Sequence, residues 1–170
     1  MMVGMVDVQT ALSIIRTGIQ WLKKAVDVNY YTIDVVGLQN LVKRFLPNVG
    51  NIPVDLKFQY TDFETMKKII EIDWTNLKGY KEDVFDCDNF AFTFASRMAE
   101  IWEINGVAVA FGVIYEKSLP IPHFWNYFVA RTENGEKLYF LEPQNDFVTE
   151  AGKEGNINGT RYVPYLLLWY

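Results

Sequence analysis

The chain has 170 residues, half of them apolar and 16% aromatic, with 16 basic and 21 acidic side chains and a formal net charge of −5. That length and apolar content fit one domain with its own core and exclude a disordered chain. The acidic balance gives no basic field for nucleic acid. A single cysteine and a single histidine exclude a disulfide framework and a four-ligand zinc site. No apolar run approaches the length of a membrane span. The first residues, MMVGMVDVQT, lack a basic stretch followed by an apolar one. No secretory leader is expected, and a cytoplasmic location is the default.

Apolar residues at three- and four-residue steps predict a first helix from Val6 to Val26 and a shorter one from Asp34 to Leu46, closed by Pro47. Leu56 to Tyr60 alternates as a short strand. Thr61 followed by Glu64 has capping-box spacing and starts a helix from about Asp62 to Glu71. A loop rich in acid, Gly and Tyr spans Asn76 to Asp88. The clearest helix runs from Asn89 to Glu103, with Ala91, Phe94, Ala95, Met98 and Trp102 on one stripe and Cys87 continuing that stripe at its entrance.

Past Asn105-Gly106 the period becomes extended. Val107 to Tyr115, Phe124 to Arg131 and Lys137 to Leu141 read as strands, with Glu133-Asn134-Gly135 a hairpin turn. Gly152 to Gly159 is a loop, and Arg161 to Tyr170 a final apolar strand. Helices first and a mostly antiparallel sheet afterwards give an α+β class. The expected organisation is one domain over residues 1–170. Residues 1–50 form a helical extension and 51–170 the core.

The chemistry-bearing residues are few. Cys87 stands at a helix mouth, where free N–H groups and the peptide dipoles favour a thiolate. His123 opens a strand and Glu142 closes the next, so the two are expected as cross-strand neighbours. Cysteine nucleophile, imidazole base and orienting carboxylate is one reading, with the first helical N–H groups as an oxyanion site. The other is structural: a small core cysteine, a histidine at a strand start and a glutamate at a strand end.

Asp86 and Asp88 flank Cys87, with Glu82 and Asp83 nearby, and acids raise a thiol pKa. A hard divalent cation would neutralise them. Asp86, Asp88 and the Asn89 amide offer oxygen ligands that suit Ca²⁺. The alternative is solvated loop charge with an aspartate N-cap.

The run Asp86-Cys87-Asp88-Asn89-Phe90-Ala91 resembles the D-C-[DE]-[DN]-[FY]-A motif of transglutaminase-like cysteine proteases. His123-Phe124-Trp125, followed by a hairpin and Glu142-Pro143, resembles the H-x-W … D-P pattern of that superfamily. With glutamate as the third member it is also similar to the papain-like protease domain of fungal chimerolectins, agglutinins with a ricin-B-type lectin half. The resemblance covers residues 78 to 146. It implies a papain-like or transglutaminase-like fold, with a central helix carrying the cysteine packed on an antiparallel sheet. It also implies Cys87 as nucleophile, His123 as base, Glu142 as third member, and Ca²⁺ at Asp86, Asp88 and Asn89. Tyr80 and Gln59 are candidates for an oxyanion-hole side chain, Trp125 for a groove wall, and Asn126 for a second-ranked partner of His123.

The expected function is therefore a Ca²⁺-dependent cysteine peptidase or amidase acting on a peptide or protein substrate, with acyl transfer as a variant of the same site. The alternative is a catalytically inactive binding or structural module on the same fold, with the apolar tail Tyr165 to Tyr170 at an interface. The basic pairs Lys23-Lys24, Lys43-Arg44 and Lys67-Lys68 read as solvated helix faces. Asn158-Gly159-Thr160 is a formal sequon treated as chance.

Overall fold

The computed structural model describes residues 7–116, 118–152, 157 and 159–170. The start of the first expected helix at Val6, the middle of the 152–159 loop and Asn158 of the sequon lie outside them.

The described residues form four helices and eight strands, in the order α1 (Val8–Ala25), β1 (Tyr31–Asp34), α2 (Val35–Phe45), β2 (Gly50–Pro53), β3 (Lys57–Asp62), α3 (Phe63–Ile72), α4 (Cys87–Trp102), β4 (Val107–Glu116), β5 (Leu119–Thr132), β6 (Gly135–Glu142), β7 (Phe147–Glu150) and β8 (Arg161–Trp169). The helix starts are chemically set. Asp7, Asp34 and Asp62 each accept the backbone N–H three residues on, at 2.9, 2.7 and 2.8 Å. Each cap satisfies a donor that the first helical turn leaves orphaned.

The strands form one sheet in the order β1-β3-β5-β4-β8-β2, with β6 added to β5 and β7 to β6. It is a mixed sheet: β2 pairs with β8 and β3 with β5 in parallel. Helices cover both faces. On one side α3 and α4 lay Met66, Ile69, Phe94 and Met98 against Val109 and Phe128. On the other, α2 sets Leu38, Leu41 and Val42 against Tyr127, Phe140 and Trp169. Burial of both faces explains why β5 is buried without a break from Trp125 to Ala130, where a half-exposed strand would alternate.

This architecture corrects the expected α+β, papain-like or transglutaminase-like class. The fold is sheet-rich and mixed, with helices on both faces, not a central helix on an antiparallel sheet. β1 and α2, from the stretch read as a helical extension, are built into that sheet and its core. The parallel pairs escaped sequence reading because β2 is only four residues long and its partner lies more than a hundred residues away. By contrast α1 buries no residue completely and rests on the core through Ile19 and Leu22.

Candidate functional site

Cys87 is the first residue of α4 and is half-buried. The acids around it are organised by the helix start. Asp86 N–H donates to Asn89 Oδ1 at 3.2 Å, and Asn89 N–H donates to Asp88 Oδ1 at 2.8 Å. Asp83, in the left-handed region at φ 56°, donates its N–H to Asp86 Oδ2 at 3.3 Å. Asp86 and Asp88 are also in contact. That hydrogen bond, then burial, raises the Asp88 pKa above the usual carboxylate range.

His123 sits on β5, 9% exposed, with Gly112 of β4 as its cross-strand partner. Register places Asn126 opposite Leu141, which puts Glu142 beside Trp125 and one diagonal step from His123, on the same face. His123 Nε2 and Glu142 Oε2 lie 2.9 Å apart. Since Nε2 is engaged, Nδ1 is the ring nitrogen left for Cys87, whose side chain also hydrogen-bonds the imidazole. Glu142 is 3% exposed and held from two further directions. The Tyr162 hydroxyl donates to Oε2 at 3.1 Å and the Gln144 N–H donates to Oε1 at 3.4 Å.

The electrostatics follow from this packing. Burial alone would lower the His123 pKa. Hydrogen bonds to Cys87 and Glu142, with their negative charge, overcome it and raise the pKa to about 9. Burial and the Glu142 charge push Tyr162 well above the ordinary phenol range, which keeps it a hydrogen-bond donor. The site thus holds a cationic imidazole between a sulfur and a carboxylate, in a pocket of rings. Trp125 stacks 6.0 Å from His123 at 26°, and Tyr162 meets both rings edge-on.

Other sequence candidates are distributed differently. Tyr80 is exposed; desolvation first, and then the charges of Asp86 and Cys87, raise its pKa, so it stands near the cluster. Gln59 lies on β3 beside Asn105, past the far end of α4, whose 16 residues span about 24 Å. Trp125 is fully buried and forms the site's floor, not a groove wall. Asn126 faces α4 and donates Nδ2 to Ala91 O and Ala108 O at 3.0 and 3.1 Å, which ties helix to sheet and leaves His123 to Glu142. Among the described residues no group of three or more His, Cys, Asp or Glu side chains is placed to hold a metal. Sequence reading missed Tyr162, because its approach to Glu142 depends on β8 pairing with β4. Also missed was Gly112, where a Cβ would come within 2.7 Å of Trp125 and 2.2 Å of Val163 O.

Cys87, His123 and Glu142 all fall within a stretch of the chain that matches a known family model. The model of the agglutinin C-terminal family matches residues 64–148, and the chain belongs to that family. No curated protein matches the chain. Among solved structures, a complex of PSL1a with E64 is similar at 21% identity and a TM-score of 0.62, over 81% of this chain and 51% of that one. The Polyporus squamosus lectin bound to the human-type influenza-binding epitope Neu5Acα2-6Galβ1-4GlcNAc is similar at 21% identity and a TM-score of 0.60, over 81% and 49%. This chain spans about half the length of those neighbours.

These matches correct several expectations. The family is the agglutinin C-terminal family, not the transglutaminase-like or papain-like cysteine proteases, and the fold resembles that of a lectin. The cysteine hydrolase, its peptidase or acyl-transfer activity and its peptide substrate are overturned with that recognition. The physical lesson is that a short D-C-D-N-F-A run records a helix start beside a cysteine, and a helix start does not specify turnover. No helix among the described residues is long and apolar enough to cross a membrane.

Proposed function

We propose that the chain is a non-catalytic binding module of agglutinin type, with carbohydrate as its ligand and the Cys87, His123 and Glu142 cluster as its recognition centre. The observation that carries this reading is the family match, whose span includes all three residues. The glycan named with the Polyporus squamosus lectin supports the ligand class. In this reading His123, cationic at neutral pH, offers a charged donor. Glu142 and Tyr162 fix its ring, and the Cys87 sulfur borders the ligand.

Ca²⁺ at Asp86 and Asp88 belongs to the same proposal. Two carboxylates in contact are oxygen donors that a hard cation takes readily. Asn89 is the weakest of the three ligands, since its Oδ1 already accepts the Asp86 N–H. Such an ion would offset the acidic charge beside Cys87 and fix the loop that precedes α4.

Calorimetric titration of the intact chain with Neu5Acα2-6Galβ1-4GlcNAc tests the ligand class. Saturable binding, weakened at least tenfold by His123→Ala, is expected; absence of binding overturns the carbohydrate reading. Peptide hydrolysis that disappears in Cys87→Ala would overturn the non-catalytic one. Titration of Ca²⁺ into metal-stripped protein tests the cation. No heat and no change in melting temperature removes it.

A further inference from the structure

Nothing within the chain accounts for Gly18. It stands in the middle of α1, where glycine costs helix stability relative to alanine. A Cβ built there meets nothing within 4 Å, so no neighbour in this molecule requires its absence. The flanking residues raise the same question. Ile14 and Trp21, one turn to either side, are 63% and 72% exposed. The helix rests on the core through Ile19 and Leu22, which face another way.

Ala11, Ile14, Gly18, Trp21 and Ala25 recur at alternating three- and four-residue steps, the spacing of a seam along which two helices pair. Large and small side chains alternate along it. Laid against a second copy running in the opposite direction, the seam is self-complementary. Trp21 meets the partner's Ala11, Ile14 meets the partner's Gly18, and the two-fold axis repeats both contacts. In parallel pairing like would meet like, with Trp21 against the partner's Trp21 and a gap at the glycines. Val8 and Ile15 are also exposed and widen the seam on one side.

Charge selects the same orientation. Asp7 caps one end of α1 and Lys24 lies in its last turn. Antiparallel pairing sets each Asp7 beside the partner's Lys24 and opposes the two helix dipoles, whereas parallel pairing gathers like charges. Room for a helix is present. A groove of about 610 Å³ lies beside the seam, with Gly18 and Leu22 on one wall and Trp74 and Ile101 on the other. A lipid surface is a poorer occupant, because it takes up bulky apolar side chains and has no use for a glycine notch.

We propose that α1 is a homodimerisation helix, packed antiparallel on α1 of a second copy of this chain, with Ile14 and Trp21 of each copy seated on Gly18 and Ala11 of the other. This is independent of what the Cys87 cluster binds. α1 meets α4 near its C-terminal end, where Lys23 pairs with Glu103 at 2.7 Å, and Cys87 stands at the opposite end. A pair joined through α1 therefore carries two such clusters.

Sedimentation of the intact chain over a concentration series should show a reversible dimer. Gly18→Leu fills the notch, and Trp21→Ala removes the residue that fills the partner's; each should raise the dimer Kd about tenfold or more. Melting temperatures compared at concentrations where all forms are monomeric should not fall, since neither side chain is packed within the monomer. The orientation is read in a Cys87→Ser background with a short bis-maleimide. Thr10→Cys chains should link to Lys24→Cys chains, and Lys24→Cys chains should not link to one another. A wild type that stays monomeric throughout overturns the proposal, as does a dimer that both seam variants leave intact or one that links Lys24→Cys to itself. A monomeric wild type that co-sediments with phosphatidylcholine–phosphatidylserine vesicles, and a Trp21→Ala variant that does not, would assign the face to a membrane instead.

Discussion

Glu142 Oε2 lies 2.9 Å from His123 Nε2, and both side chains are buried. The pair is fixed by Tyr162, which donates to the same carboxylate oxygen from β8. The Glu142 charge sustains the charge on His123, and the chain's only histidine gives a single NMR resonance with which to follow it. Glu142→Gln removes the carboxylate but keeps the shape. Burial then acts with less opposition, and the His123 pKa should fall well below about 9. Tyr162→Phe should produce a smaller fall and cost about 1 kcal/mol of stability. An unchanged His123 titration in Glu142→Gln would show that the pair is not coupled.

The same pair links stability to pH. The folded pKa of His123, about 9, is above the unfolded value of 6.5. Its contribution is therefore fully present below pH 6.5 and is lost as pH rises through about 9. Melting temperature should decline across that window in the wild type. His123→Gln should be less stable at pH 6 and show a flatter profile, and a matching decline in that variant would assign the effect to another group.

Gly112 sets the space in which the site is built. A Cβ there would lie 2.2 Å from Val163 O and 2.9 Å from Pro164 Cα, both backbone atoms that cannot swing aside. The β4–β8 register shifts at this point, between Phe111 and Gly112. Gly112→Ala should cost about 1–3 kcal/mol or more in urea unfolding. It should also displace Trp125 and its neighbour His123, read as a shifted histidine resonance. Wild-type stability and spectrum would contradict the packing described.

Asp146 has the opposite sign. It lies in the turn after Glu142 and accepts from Asn76 Nδ2 at 2.5 Å. Burial, then the Asp73 charge, raises its pKa from 3.8 to about 6. Ionisation is therefore harder in the folded state, and stability is lost as pH climbs from about 4 to 6. Asp146→Asn keeps an acceptor for Asn76 and suits the left-handed backbone at φ 59°. The variant should be more stable by about 1 kcal/mol at pH 7.5, a figure discounted for the group's solvent exposure. The gain should vanish below pH 4, and a gain that persisted there would not come from the charge.

Much of this molecule is written locally. The steps of Leu38, Leu41 and Val42, and those of Phe94, Ala95 and Met98, specify helices and their buried faces, and α2 and α4 form where that period runs. Aspartates mark the helix starts because an orphan N–H needs an acceptor within a few residues. Cys87 at a helix mouth, and His123 and Glu142 on neighbouring strands, are legible for the same reason, since a short hairpin carries one to the other.

Tertiary structure alone decided the rest. Pairing of β2 with β8, and the parallel contact of Thr61 and Asp62 with Ala130 and Arg131, join segments that no local period connects. Tyr162 reaches Glu142, and Gly112 makes room for Trp125, only because β8 returns beside β4. A motif such as Asp86 to Ala91 encodes how a helix begins. Which ligands meet it depends on the surfaces that distant strands assemble around it, and pairing free energy between distant segments leaves no periodic trace in either segment.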